Sequence, residues 1–298
     1  MTGESRSSKK IIINVDDLGL HPAVRRAVEV CAAKGSVTSA SVLANGPDLP
    51  FVRPMAGVSL GAHLNVLRGR PLSPASEVPS LVNGRGMFVG NFTRFASRAL
   101  RGSIHLDEVK LEWSRQVAHL RDRGFDLSHV DGEKHTHCFP ALFRVACEVA
   151  AEHGIPNVRR SVELHTSSTT VLGHMRRMFL NTMCRRAILV MERRSTDAVW
   201  GISTQGHHLS VARLLHDLNT MPTQTEVIEI VCHPGLTHAS DPALPESFGR
   251  MRVTALWTPE FRALCDEPWL PTLTAHGWTV TNFEGLASRS KQAHARTA

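Results

Sequence analysis

The 298-residue chain contains no tyrosine, and aromatic residues make up only 5% of it. No two of its six cysteines form a CxxC pair, which argues against a structural zinc ribbon. Cys31, Cys138, Cys147, Cys184, Cys232 and Cys265 stand apart in apolar contexts and read as free thiols in a reducing cytosol. No GxGxxG or P-loop follows the first apolar run, so nucleotide binding lacks its usual signature. No stretch approaches the roughly 20 apolar residues of a membrane span. The N-terminus, MTGESRSSKK, has charge but no apolar segment behind it, so neither a signal peptide nor stable membrane insertion is expected. The expected location is cytoplasmic. Acidic residues are in deficit, 27 against 34 lysines and arginines, for a formal charge of +7.

What is present is an ordinary globular composition, 42% hydrophobic and 20% charged, which excludes disordered, collagen-like and disulfide-scaffold chains. The positive charge is unevenly spread. Residues 1–10 carry a net +2, residues 287–298 a net +3 and residues 158–194 a net +6, so the remainder is net −4. The two ends read as flexible basic tails, 1–9 and 287–298, around one domain spanning 10–286. No nucleic-acid motif accompanies them, and no nucleic-acid partner is expected. Leu172, Met175, Phe179, Met183, Ala187 and Val190 recur at helical spacing, which predicts a basic amphipathic helix over 171–194. Its bland reading is a packed helix with a solvated basic face. The sharper readings are an anionic ligand, a membrane surface or a subunit contact, the last leaving a homodimer open.

Short apolar runs alternate with helical ones. Strands are expected at 11–15, 37–43, 58–62, 127–130, 156–160, 198–202, 226–231 and 278–281. Helical stretches include 22–34, 105–123, 139–153 and 208–218. Several of these strands are almost continuously apolar, as when helices cover a parallel sheet. Repeated βα units without a linker favour a single α/β domain, open sheet or barrel. The irregular stretch 64–91 is too long for a simple connection and reads as a lid or substrate wall.

The informative polar residues cluster at strand C-terminal ends, which converge on one face of a β/α barrel. The first strand ends in Asp16 and Asp17, the third in His63 and Asn65. The strand at 127–130 is followed by Asp131, Glu133, His135 and His137, and that at 226–231 by His233. An aspartate after a strand is usually a turn former or helix cap. A pair also suits a metal site, one binding the ion and one taking a proton from its water. Glu133, His135 and His137 alternate, so in an extended segment they share a face. Carboxylate with imidazole is a common ligand set for zinc and other divalent ions. His233, fixed before Pro234 and Gly235, is a candidate acid/base group. Together these residues suit a mononuclear metal hydrolase.

The strings INVDDLGL, GSVTSASVLANGP, LGAHLNVLRGRPLS, LVNGRGMF, HVDGEKHTHCFP, PNVRR and EIVCHPG run in order from about residue 11 to 237. In them the sequence resembles the YdjC-like (ChbG-type) carbohydrate deacetylases. That resemblance implies a distorted TIM-like (β/α) barrel of the polysaccharide-deacetylase type. It also implies hydrolysis of an N-acetyl group on an amino sugar or glycosylated small molecule, with one divalent ion, zinc or magnesium. Asp16 then falls where the general base lies and His233 where a histidine stands near the reacting amide, here as general acid. Asp17 and His63 fall on metal-ligand positions, and Arg159 matches an arginine lining the pocket. His135, His137 and Asn65 are left to substrate binding or support of the ligands. Where the family commonly places the first histidine of DGHKHTH or DSHHHVH, this chain has Glu133. Three consequences are open: a set of Asp17, His63 and Glu133; His135 as ligand with Glu133 orienting it; or loss of metal and a carbohydrate-binding relative. An amide hydrolase for a different acyl substrate is the alternative enzyme.

Overall fold

The computed structural model describes residues 9–166, 171–188, 195–222 and 224–286. The strands are β1 (Lys9–Leu18), β2 (Ser39–Val42), β3 (Ser59–Leu64), β4 (Leu127–Gly132), β5 (Asn157–Val158), β6 (Ala198–Trp200), β7 (Val227–Cys232) and β8 (Trp278–Thr281). The helices are α1 (Pro22–Ala33), α2 (Phe92–Leu100), α3 (Leu106–Asp122), α4 (Pro140–Glu152), α5 (Val171–Ile188), α6 (Val211–Leu218), α7 (Trp257–Asp266) and α8 (Trp269–Ala275). The expected tails lie outside the described residues except for Lys9, which opens β1. Residues 189–194 of the expected basic helix also lie outside them.

All the pairings are parallel, in the order β5-β4-β3-β2-β1-β7-β6, with β8 beside the first half of β1. Beyond β5 the chain meets β6 at the far edge. The Val199 amide donates to Val162 and the Leu164 amide to Val199, both at 2.9 Å, so the curled sheet closes on itself. This is the single α/β, TIM-like arrangement expected. β1 is central, and Ile11, Ile12 and Ile13 are all fully buried. Burial on both faces explains the unbroken apolar run, because alternation is needed only where one face meets water.

Inside the sheet, register selects side chains. Ser41 of β2, Gly61 of β3 and His129 of β4 lie in one row. Because Gly61 has no side chain, the His129 ring crosses it and reaches Ser41 Oγ at 3.1 Å. A Cβ on Gly61 would stand 2.3 Å from that ring. Phe283 stacks on the same ring, centroids 3.9 Å apart.

The stretch 64–91 is held down rather than hinged. Glu112 of α3 accepts the Leu72 and Ser73 amides at 3.0 and 2.8 Å, and Glu108 accepts that of Ser80 at 2.7 Å. The Gly69 amide donates to the Ser247 carbonyl at 2.9 Å. The wall reading of this segment fits these bonds, and a freely moving lid does not. All six cysteines are unbridged, with Cys31 and Cys265 sulfurs 3.6 Å apart.

Candidate active site

Each charged group enters the site through a local irregularity. In a regular strand Asp16 and Asp17 would point to opposite faces. The register of β1 with β2 instead shifts between Val15 and Leu18, and Asp17 takes a left-handed φ of 65°. This bulge brings both carboxylates to the end of the strand, where both are buried. The other non-glycine residues with positive φ are Lys134 and His135, at 54° and 56°. All three such residues, among those described, lie in the two motifs singled out from the sequence. Unfavourable backbone of this kind persists where function requires it.

The second motif corrects the expectation of an extended segment. Residues 133–138 form a tight helical turn broken by the left-handed pair, not a strand. Glu133, His135 and His137 therefore do not share a face. Arg68 Nε donates to Glu133 Oε1 at 2.7 Å. His135 Nδ1 meets Ser161 Oγ, and His137 Nε2 meets the Arg159 carbonyl, both at 3.0 Å. The turn is forced because β4 ends beside Leu64 and α4 begins at Pro140. Gly132 passes so close to the Leu64 carbonyl that a Cβ would lie 3.1 Å from it.

Two tiers of charge result. In the inner tier the fully buried Arg159 guanidinium binds Asp16 in bidentate fashion, at 2.9 and 2.8 Å, and also meets Asp131 Oδ2 at 2.7 Å and Glu229. Ser41 Oγ donates to Asp131 at 2.7 Å, and Asn14 Nδ2 donates to Asp16 Oδ1 at 2.9 Å. Burial opposes the charge on Asp131, but Arg159 and His63 outweigh it and hold that carboxyl well below its usual range. Glu229 is pushed up to about 7 by burial, which Arg159 offsets only in part. Glu229 Oε2, in this inner tier, is buried with no hydrogen-bond partner.

The outer tier centres on His63, Asp17 and Glu133. His63 is the register partner of Asp131, and its Nδ1 lies 2.8 Å from Asp131 Oδ1. That bond turns Nε2 toward Asp17 Oδ1, 3.3 Å away. Burial disfavours a charged His63, yet Asp131 and Asp17 raise it well above the usual imidazole value. Asp17 is in turn held low by His63 in spite of burial. Glu133 is pushed up to about 6 by burial, with Arg68 opposing and Asp17 adding to the rise. Its Oε2 is buried with no hydrogen-bond partner.

His233 closes the site from the end of β7. Its Nε2 stands 4.0 Å from Asp16 Oδ2. Its backbone amide donates to Glu260 of α7, whose other oxygen accepts the Gly206 amide at 2.7 Å. Asn65 turns away and builds its own loop. It accepts the Leu67 amide at 2.8 Å and donates to the Arg68 carbonyl at 2.8 Å.

Asp16, His63 and Asp131 offer atoms within 4.8 Å of one another, a possible metal-binding group. Asp16 and Asp131 already share Arg159, however, and a cation between them would compete with the guanidinium. Beside them, Glu133 Oε2 has no partner, and His63 Nε2 and Asp17 Oδ1 meet only each other, at 3.3 Å. The site's five carboxyl groups, Asp16, Asp17, Asp131, Glu133 and Glu229, face two arginines and the imidazoles of His63 and His233, apart from the exposed Lys134. That surplus of negative charge fits a divalent ion.

Sequence reading passed over Asp131 as a site residue, and Glu229, Arg68 and Glu260 altogether. Two of these had a signal: Glu229 interrupts the apolar run EVIEIV, and Asp131 ends LSHVD. A charge inside a buried strand must find a partner. Nothing near Arg68 or Glu260 in sequence marks them.

A closed parallel β/α sheet with buried carboxylates and imidazoles gathered at its strand ends defines a β/α barrel protein. The chain belongs to the YdjC-like protein family, which matches residues 10–275. It is 30% identical to a carbohydrate deacetylase of Mus musculus, over 92% of this chain and 91% of that one. It is 26% identical to a carbohydrate deacetylase of Vibrio parahaemolyticus, over 95% and 98% of the two chains. In fold it is similar to an Enterococcus faecalis protein assigned to cellobiose-phosphate cleavage, with a TM-score of 0.64 at 23% identity, covering 94% of this chain and 99% of that one.

Proposed function

We propose that the protein is a carbohydrate deacetylase that hydrolyses the N-acetyl group of an amino sugar, using one divalent ion. The observation that carries this reading is Glu133 Oε2, buried without a partner beside the Asp17–His63 pair and the Asp16 carboxylate that Arg159 holds in place. Relatives named carbohydrate deacetylase along nearly their full length support it.

Asp17, His63 and Glu133 would hold the ion. When bound, it supplies a polarised carbonyl and a more acidic water. Glu133 in place of an imidazole adds negative charge, which favours a harder ion such as magnesium over zinc. Asp16 Oδ1 already accepts from Asn14 and Arg159, whereas Oδ2 accepts one bond from Arg159. Oδ2 therefore keeps a lone pair and serves as the base. It takes a proton as the water oxygen bonds to the acyl carbon. His233 Nε2 gives a proton to the nitrogen as the C–N bond breaks, leaving acetate and a free amine. Arg159 fixes the Asp16 carboxylate, and Glu260 fixes the His233 backbone.

The test is acetate release from a panel of N-acetylated and longer N-acyl sugars, with and without chelator. Acetate release that chelation stops, metal addition restores and Asp16→Asn lowers about 10²–10⁴-fold is expected. Full turnover in Asp16→Asn, or a preference for longer acyl chains, would overturn the assignment.

A further inference from the structure

α2 lies in the connection leaving β3 and α5 in the connection leaving β5, so both emerge at the strand ends that carry the site. The expected packing of Met175 and Phe179 is not what α5 shows. Val171, Met175, Met178 and Phe179 are 80, 62, 57 and 51% exposed. Only the opposite side, with Cys184 and Ala187, is buried. Spaced three and four apart, the exposed four share a face. Arg185 and Arg186, also exposed, continue it. α2 ends in Leu100, 78% exposed, and carries Arg94 and Arg98. Neither helix holds an acidic residue, and of the four arginines on α5 it is Arg185 and Arg186 that lie on this face, while helical spacing turns Arg176 and Arg177 away from it, Arg177 toward Glu163.

Aromatic contacts tie this face to the site. Phe139 directly follows the 133–138 turn. Its ring centroid lies 6.1 Å from that of Phe92 on α2 and 6.3 Å from that of Phe179 on α5.

We propose that the α2–α5 face seats the protein on an anionic lipid surface, with the site opening beside the headgroups. Apolar side chains over the first turns of α5 enter the headgroup–acyl boundary, and the arginines pair with lipid phosphates. A second copy fits less well, because two-fold pairing of this face sets arginine against arginine with no acid between. A soluble polyanion would engage the arginines but leave Met175 and Met178 in water. With the deacetylase reading above, the substrate becomes an N-acetylated sugar carried by an amphiphile at that surface. That extension rests on the reading; the lipid seating does not.

The experiment is flotation of the full chain with phosphatidylglycerol–phosphatidylcholine vesicles and with phosphatidylcholine alone. Binding is expected only to the anionic vesicles. Met175→Glu/Met178→Glu and Arg185→Glu/Arg186→Glu should each weaken it by at least about tenfold, the scale of two surface charges. Circular dichroism should be unchanged, since these side chains are exposed, and Leu100→Glu gives an independent variant. Three results overturn the proposal. One is no binding to anionic vesicles; another is binding undiminished in the methionine variant. The third is a dimer seen by light scattering that the methionine variant dissolves, without vesicle binding. Failure of the deacetylase reading would show instead in acetate release from soluble sugars, which flotation does not measure.

Discussion

The inner and outer tiers of the site hold the same kinds of residue in opposite states. Around Arg159, protein donors meet Asp16 and Asp131, and of the three carboxylates only Glu229 keeps an oxygen without a partner. Around Asp17, the backbone is strained and a buried carboxylate oxygen of Glu133 has no partner. The first arrangement is what a fold needs to bury charge at all. The second is left incomplete by the protein itself, and the proposed ion would complete it. The difference separates positioning from chemistry better than residue type does.

The largest effect should come from breaking the inner tier. Arg159→Met leaves Asp16, Asp131 and Glu229 without their shared cation, and a loss of about 3–5 kcal/mol is expected in urea unfolding. A variant as stable as the parent would show that the guanidinium does not neutralise them. In the outer tier, Asp17→Asn should do the reverse. Asparagine tolerates the left-handed backbone, so the thermal midpoint should hardly move, while titrated metal uptake falls by more than about tenfold. Equal metal affinity would shift the ion to Asp16, His63 and Asp131. Glu133→Gln keeps an oxygen for Arg68 and removes only charge. A smaller loss of metal affinity, about tenfold, is expected by calorimetry; no change would favour His135 as the third ligand.

A half-buried pair nearer the surface calibrates the scale. Arg26 donates to Asp241 at 2.7 Å near the surface and, against slight burial, holds that carboxyl below its usual value. A depressed folded value means that the stabilisation is present above the unfolded value of about 3.9 and is lost as pH falls through the lower one. Arg26→Ala should therefore cost less than about 1 kcal/mol more at pH 7 than in strong acid, where only its bonds to the Leu236 carbonyl are lost, by paired thermal melts.

Much of this was legible in advance. All eight expected strands appear, and the four that carry the site, β1, β3, β4 and β7, are buried runs that end in polar clusters. Asp16, Asp17, His63, Glu133 and His233 were visible for the same reason: each follows such a run. α2 was not singled out, and of the apolar positions expected on one face of α5, Ala187 is buried and Met183 packs on the core whereas Met175 and Phe179 are exposed. An 18-residue helix with apolar residues on more than one side does not say which side meets the core.

The sequence by itself determined the parallel β/α frame, the strand ends where charge gathers and the absence of any long apolar span. Only tertiary structure decided how those charges divide. Asp16 goes to Arg159 and Asp17 toward His63 because a one-residue bulge turns both to the same end of β1. Glu133, His135 and His137 part company because Gly132 and two left-handed residues fold the chain back on itself. Such partners come from segments far apart in the chain, and their pairing depends on register and bulges that local sequence does not encode.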